Sequence, residues 1–474
     1  MSFTKFALAA VLAVGSSAFA DTAVDQQIQD MRTQLQVQRQ QIQSQQSEIS
    51  QLRADQGQTW LTAARAEQVK SLVREVLSDA DTRASLMDSA ITAGHNGKNF
   101  FLASEDGNFL LTVDGQIQFR YIWNQIKDDG TRNDQEGFQM RRAKIGFYGH
   151  VYDPKLTYGL RIAAANDSDF GVGGTMTLED AWAAYDVADG WNVKGGQFKG
   201  PFLREEAVDS RYQLAVERSL VADLFTVDYT QGVQVSYTAD QFRVLAMIHD
   251  GSYAANTDYN NGGTTGTIDV AFAGRVEFLA MGTWDQFKDF TTFTGDQMGL
   301  LLGAAIDYEK GEGESLGVVN DTPGDVLKWT IDASFEAPDA YGFNAFAAVI
   351  GSHPQSRETL AGTANEPDQF AVVVQAGVFI VPDKFDVFGR YEYIDLDDNT
   401  LSSFSVLSPT ADDPVNILTF GGNYYFHKHS AKFTMDVVWM LDNSIGIGTD
   451  TGQGLVSTGE EDQVSIRGQF QLLF

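Results

Sequence analysis

The chain has 474 residues and a formal charge of -31, which argues against nucleic acid as a partner because binding to phosphates needs a basic surface. It contains no cysteine, so we expect neither a lipoprotein anchor nor disulfide bonds. After residue 20 no apolar run reaches the roughly 18 residues that a transmembrane helix requires.

Residues 1–20 have the pattern of a secretory signal peptide. Lys5 supplies the positive start, Phe6–Val14 is apolar, and Ala18 and Ala20 form a small-x-small cleavage site. We therefore expect the mature chain to be exported.

Residues 21–56 are predicted to form an α-helical coiled coil. Within them, Asp21–Arg53 has apolar residues at heptad-compatible spacing and lacks both Gly and Pro, although Gln38 and Gln45 place polar side chains on the seam. A flexible polar spacer is the alternative. Residues 57–95 are predicted to be a helical linker.

Residues 96–474 are predicted to form a β-barrel. From about Phe109 the side-chain period changes to two, as in Val113–Asn124, and runs of this kind recur to the end of the chain. We count about sixteen strands. In the last of them, Gln463–Phe474, apolar side chains alternate strictly with Gln, Ser and Arg, so one face is apolar and the other wet.

The connections between these runs alternate in length. Tyr152–Pro154 and His427–Ser430 are short, whereas Lys127–Gly137, Asp250–Gly266 and Asn443–Glu460 are long and polar. Outer-membrane barrels have this rhythm, with tight periplasmic turns and long outer loops, and an even strand number puts both termini in the periplasm. The fold class is therefore an all-β transmembrane barrel with a water-filled lumen and an N-terminal α-helical coiled coil.

The polar face of each strand is predicted to line the pore. Arg120 lies on the first strand, Arg142 and Lys144 on the second, and Arg161 on the third. Arg141 is out of phase, so it faces lipid unless a β-bulge turns it or it lies at the rim. The alternative is that these mixed charges only keep the wall hydrated.

The connection Lys199–Asp228 is the third long loop, which in general porins folds into the lumen and sets the constriction. A ring of charged side chains there would select ions by sign. Its charged residues are Lys199, Arg204, Glu205, Glu206, Asp209, Arg211, Glu217, Arg218 and Asp223. Basic and acidic groups nearly balance, so the loop composition does not by itself predict an anion filter.

Several motifs in this region occur in a fixed order. They are VDGQIQFRY (113–121), GFQMRRAKIGFYG (137–149), LEDAWAAY (178–185), GQFKGPF (196–202) and ERSLV (217–221). With them the chain resembles the phosphate-selective porins O and P over roughly 113–240. The resemblance is weaker but compatible from there to the C-terminus.

The resemblance implies a sixteen-stranded, homotrimeric outer-membrane channel that passes small anions, with Arg and Lys at the constriction. Arg141 and Arg142 match the paired arginines of the family, and Arg218 matches the arginine of the inward loop. Two positions depart from the pattern: Gln116 replaces an expected arginine, and Glu206 stands where selective members carry Lys. These departures put phosphate selectivity in doubt.

The expected set of pore-lining and selectivity residues is Arg120, Arg141, Arg142, Lys144, Arg161, Lys199, Arg204, Glu206 and Arg218. We find no metal-ligand spacing apart from His427 and His429 in a predicted turn, where accidental exposure is the simpler explanation. No catalytic or phosphate-loop motif occurs, so we expect neither an enzyme nor a cofactor.

The sequence thus predicts an outer-membrane porin for passive diffusion of small hydrophilic solutes and ions, with phosphate or other anions among the candidates. Membrane lipid surrounds the barrel, and the N-terminal segment is periplasmic. The alternative is an envelope tether, in which the barrel is the membrane anchor and the coiled coil spans the periplasm.

Overall fold

The computed structural model describes residues 37, 40–47, 91–128, 131–164, 176–258, 268–311, 325–355, 368–396, 414–442, 452–455 and 463–474. Residues 40–47 are helical. The predicted signal peptide, the rest of the predicted coiled coil and the linker up to residue 90 lie outside the described residues. No helix among the described residues is long and apolar enough to cross a membrane, a finding that does not bear on membrane-spanning strands.

Sixteen antiparallel strands, β3 to β18, form a closed barrel, because β18 pairs with β3 as well as with β17. The sixteen predicted strands are therefore confirmed. Their bounds are β3 Leu110–Asp128, β4 Thr131–Val151, β5 Asp153–Ala163, β6 Thr177–Ala188, β7 Trp191–Lys199, β8 Tyr229–Thr238, β9 Phe242–His249, β10 Ile268–Met281, β11 Gly299–Gly311, β12 Asp325–Ala337, β13 Phe343–Gln355, β14 Gln369–Val381, β15 Phe385–Leu396, β16 Val415–His427, β17 Ala431–Met440 and β18 Gln463–Leu473.

A short hairpin precedes the barrel and was not predicted. Its strands are β1, Ile91–His95, and β2, Phe100–Ser104, and β2 pairs with Leu110–Val113 of β3. The predicted helical linker is thus wrong for residues 91–95. β18 pairs with β3 only from Gln116 onward, so the start of β3 offers an unpaired edge that the hairpin occupies.

The period-two pattern places polar side chains inside the barrel. In β18, Gln463, Ser465 and Arg467 are buried, whereas Phe470 and Leu472 on the other face are among the exposed apolar side chains. Because successive side chains of a strand point to opposite faces, a sequence with one apolar face directs that face to lipid. The prediction for the final strand is confirmed.

The predicted long loop Lys127–Gly137 is wrong. β3 continues to Asp128 and β4 begins at Thr131, with pairs such as Gln125 opposite Asp134. Cross-strand pairing therefore extends the hairpin almost to its tip. A composition rich in Asp, Asn and Gly predicts a loop here, but β3 and β4 pair with each other, so their backbone N–H and C=O groups hydrogen-bond across the hairpin.

The connections 200–228 and 282–298 are longer than tight turns and pack against the inside of the barrel. The inward loop, residues 200–228, contains helix α1, Arg204–Ala207, a 3₁₀ turn and helix α2, Leu220–Phe225. The second, residues 282–298, joins β10 to β11 on the side of the barrel where the other described turns are short. The predicted strict alternation of short and long connections fails at this position and at the hairpin of β3 and β4.

Part of the wall facing the inward loop is apolar, although the sequence predicts a polar face toward the lumen. Leu220, Val221 and Phe225 of α2 are buried in one cluster with wall residues of β11 to β17. Burying such a side chain contributes about 1.5–3 kcal/mol. The wall members of this cluster are Ala305, Phe346, Ala348, Ile350, Ala371, Val373, Phe388, Ile394, Val415, Ile417, Val438 and Met440.

Candidate constriction site

Polar contacts fix the inward loop to the same side of the barrel. Glu392 on β15 accepts a hydrogen bond from the Leu220 backbone N–H at 2.7 Å, at the start of α2. Asp436 on β17 accepts another from Val216 at 2.9 Å, and Ser219 caps α2 through its Oγ. The loop is therefore held against β15 and β17, while its residues Asp209, Arg211 and Glu217 contact β3 to β5 on the opposite wall.

Three arginines of the wall converge on one carboxylate of the loop. Arg120 Nη1 lies 2.7 Å and Arg141 Nε 2.8 Å from Glu217 Oε1, and Arg142 binds both oxygens of Glu217 at 3.0 and 2.9 Å. All four side chains are buried. Burial opposes the charge of Glu217, but the guanidinium groups of Arg141, Arg142 and Arg120 outweigh it and hold the pKa of this carboxyl well below its ordinary value.

A register shift brings Arg141 into this group. Gln118 of β3 pairs with Arg142, but the next residue, Phe119, pairs with Met140, so Arg141 is the extra residue of a bulge. Its side chain is buried inside the barrel. The bulge that the sequence analysis required for an inward Arg141 is present.

A second group joins the loop to the first strands. Arg161 on β5 lies 2.7 Å from Asp209 of the loop and 3.4 Å from Asp114 of β3. Arg211 of the loop lies 2.8 Å from Asp114. Two cations here face two carboxylates, so this group is electrically balanced.

Lys144, Lys199 and Arg218 also have acidic partners. Lys144 pairs with Glu179 on β6, and Lys199 pairs with Glu206 of the loop. Glu206 also lies 3.1 Å from Arg218. The acidic departure at Glu206 therefore does not stand as an isolated negative charge, because two basic groups contact it.

Arg204 lies apart from the other predicted residues. Its guanidinium donates to the backbone carbonyl of Phe287 and lies 5.7 Å from the ring centroid of Phe290, both in the connection 282–298. It thus links the inward loop to the connection between β10 and β11 and does not join the arginine group at Glu217.

Sequence reasoning missed two contributors to the site. Glu217 was counted only among the loop charges, although its place beside Arg218 in the ERSLV motif was the available signal. Residues 452–455, from the last long loop, also fold inward: Gln453 accepts from Arg467 at 2.9 Å and donates to the Arg218 carbonyl. A polar, Gly-rich loop carries no pattern that predicts this insertion.

The chain matches a porin family model and is similar in fold to solved porins. The family model of phosphate-selective porin O and P matches residues 111–310. No curated protein matches the sequence. Among solved structures, the anion-selective porin from Comamonas acidovorans superposes with a TM-score of 0.52 at 12% identity, covering 77% of this chain and 99% of that one.

Two further solved structures are similar at lower scores. The outer membrane channel DcaP of Acinetobacter baumannii has a TM-score of 0.48 at 12% identity and covers 78% of this chain and 99% of its own. OmpF of Salmonella typhi, solved with daunomycin, has a TM-score of 0.47 at 14% identity, and the superposition covers 80% of this chain and 100% of OmpF.

At 12% identity the superposition on the Comamonas porin establishes the fold alone. The family match is independent of it and spans β3 to β11, which includes the bulge at Arg141 and the whole inward loop. The resemblance inferred from the ordered motifs is confirmed over this stretch, because residues 111–310 match the model of the phosphate-selective porin O and P family.

Proposed function

We propose that this protein is an outer-membrane channel through which small hydrophilic solutes and ions diffuse passively, with a preference for anions. The closed barrel with a polar interior supports the channel, because a barrel of about sixteen strands encloses an aqueous lumen. The family match over residues 111–310 supports the same class of function.

The observation that carries the anion preference is the group formed by Arg120, Arg141, Arg142 and Glu217. In this group three guanidinium groups lie within 3 Å of the carboxylate of Glu217, which gathers basic side chains of the wall beside the inward loop. A cluster of basic side chains inside a barrel favours anions, since at 4 Å two unit charges interact by about 4 kcal/mol at an effective dielectric constant of 20. Phosphate is one candidate anion among several.

We also propose a homotrimer embedded in outer-membrane lipid, with the N-terminal segment in the periplasm. The apolar outer faces of the strands support the lipid environment. The even strand number supports a periplasmic start of the barrel, and the trimer follows from the family resemblance.

The test is conductance of the purified full-length protein in planar lipid bilayers. We expect stepwise current increments. In a KCl gradient we expect a reversal potential whose sign shows that chloride is more permeant than potassium. A barrel that inserts but stays silent would contradict the channel and leave the anchoring role. A channel with cation preference would show that the arginine group does not set selectivity.

A further inference from the structure

The connection between β10 and β11, residues 282–298, crosses the periplasmic mouth of the barrel; we refer to it as the strap. Three phenylalanines along it are buried at 3 to 5% exposure. Phe287 packs against Leu279 of β10 and Leu301 of β11. The ring centroid of Phe290 lies 5.0 Å from that of Phe346 on β13, and the ring centroid of Phe293 lies 5.3 Å from that of Tyr425 on β16. Successive side chains thus contact strands progressively farther round the wall.

Polar contacts hold the far end of the strap. The Thr294 backbone N–H donates to Asp383, in the turn between β14 and β15, at 2.8 Å. Thr292 Oγ1 donates to the Phe343 carbonyl at 3.3 Å. On its inner side, the Phe287 carbonyl accepts from Arg204 of the inward loop. Because the strap contacts several strands and also the inward loop, it is held in place at the mouth of the barrel.

A cavity of about 440 Å³ remains between the strap and the start of the barrel. Three aspartates of the strap line it, and so do basic residues from other elements. The aspartates are Asp285, Asp289 and Asp296, and the basic residues are Lys98, Arg211 and Lys428. Since the Debye length is about 10 Å at 0.1 M salt, charges on the wall of the cavity act on any ion inside it.

Two of the basic groups are already engaged. Arg211 pairs with Asp114, which also lines the cavity, and Lys428 lies over the ring of Phe293 at 4.7 Å. The strap carries Asp285, Asp289 and Asp296 against one cation of its own, Lys288, which pairs with Asp285. The strap therefore adds net negative charge to the mouth.

We propose that the strap forms a second, charge-determining constriction at the periplasmic mouth, in series with the inward loop, and that ions leave the barrel through the adjoining cavity. This inference rests on the proposed channel function. An acidic constriction at one mouth of the pore makes the conductance depend on the direction of the applied voltage, because it concentrates cations at that end.

The path through the cavity is tested with a single introduced thiol, which is possible because the natural chain has no cysteine. Gln297 lines the cavity and is exposed, so Gln297→Cys leaves the packing of the strap intact. A bulky, negatively charged methanethiosulfonate reagent added on the periplasmic side should lower single-channel conductance by roughly twofold or more. Asp240→Cys, on the exposed turn between β8 and β9, is the matched control and should not respond.

The charge of the strap is tested with the double variant Asp285→Asn/Asp296→Asn, which keeps the size of both side chains. We expect the reversal potential to move toward anions and the current asymmetry between the two voltage signs to shrink. Asp189→Asn, on the exposed turn between β6 and β7, should change neither.

The outcomes separate this inference from the proposed function. If the unmodified protein forms no channels, the proposed function fails. If it conducts, but thiol modification of the Gln297→Cys variant leaves the current unchanged and the double variant keeps the wild-type asymmetry, the strap is only a structural turn and the inference is overturned.

Discussion

Glu217 shows how one side chain sets the electrostatics of the lumen. Its carboxylate accepts from Arg120, Arg141 and Arg142, and its low pKa keeps it ionised through the physiological range. It neutralises part of the positive charge and also ties the inward loop to β3 and β4. Selectivity and loop position therefore depend on the same residue.

Replacing Glu217 by Gln should make the channel more anion-selective and less stable. The change removes one negative charge and takes the shared carboxylate away from three buried guanidinium groups, and loss of one partner of a buried pair costs about 3–5 kcal/mol. Reversal potentials in a KCl gradient and thermal unfolding in detergent measure the two effects. Glu105→Gln, on an exposed turn, is the control; an equal effect there would remove the special role of Glu217.

Asp223 in α2 should give the channel a pH-dependent selectivity. Burial, reinforced by the negative charge of Glu217, raises the pKa of Asp223 well above its ordinary value. As pH rises through that value the carboxyl ionises, adds a negative charge near the arginines and shifts selectivity toward cations. Ionisation of a carboxyl with a raised pKa also lowers stability as pH rises. Asp223→Asn should flatten the pH profile of the reversal potential; an unchanged profile would assign it to another group.

Glu206→Lys should shift the reversal potential toward anions. The substitution changes the local charge by two units and places a third cation beside Lys199 and Arg218, which Glu206 now contacts. The measurement is the reversal potential in a KCl gradient, with Glu105→Lys as the matched exposed control. An unchanged potential would show that the inward loop is not the filter.

At the scale of elements, the barrel wall has two different halves. The inward faces of β3 to β5 carry the basic groups that pair with Asp209 and Glu217 of the loop, while β11 to β17 present the apolar cluster that receives α2. The loop is therefore fixed by ion pairs on one side, and by core packing together with hydrogen bonds to Glu392 and Asp436 on the other. Its apolar side supplies the rigidity that a filter needs.

Leu220→Ala should loosen the inward loop. Leu220 is fully buried in the apolar cluster, and truncation of such a leucine costs about 2–5 kcal/mol. We expect larger open-channel current fluctuations and a lower unfolding temperature. Leu302→Ala, on the exposed outer face of β11, is the matched control. Fluctuations that equal those of the control would mean that polar contacts alone hold the loop.

At the scale of the whole molecule, closure depends on β18. Its pairing with β3 runs from Val464 opposite Gln125 to Leu473 opposite Gln116. Without it, two strand edges would face lipid, where backbone groups find no water to replace their partners. The final strand therefore completes the hydrogen bonding of the barrel, and its apolar face completes the outer surface.

Deletion of residues 463–474 should abolish the folded barrel. The physical reason is the pair of open edges, and the measurement is the loss of heat-modifiable migration in detergent electrophoresis. Deletion of residues 21–56, which belong to the other unit of the chain, should leave heat-modifiable migration in place. A folded barrel without residues 463–474 would show that β18 is dispensable for closure.

The sequence by itself determined the strands, their number and the identity of the inward loop. These follow from side-chain alternation, which is local: each strand reports its own two faces, whatever its neighbours are. For the same reason the wet face of β3 to β5 correctly placed Arg120, Arg142 and Arg161 inside. The helical linker failed at residues 91–95 because a short strand there depends on an edge of β3 that only the closed barrel defines.

Only the tertiary structure decided which charges meet and what narrows the lumen. Arg120 and Glu217 are 97 residues apart and come together because the loop crosses the barrel, while Arg141 turns inward through a one-residue register shift. The strap and residues 452–455 fold inward by packing against distant strands, which leaves no periodic mark in their own sequence. Side-chain alternation depends on one strand alone and can be read from its sequence. Contacts across the lumen form only when the barrel closes, and closure requires all sixteen strands.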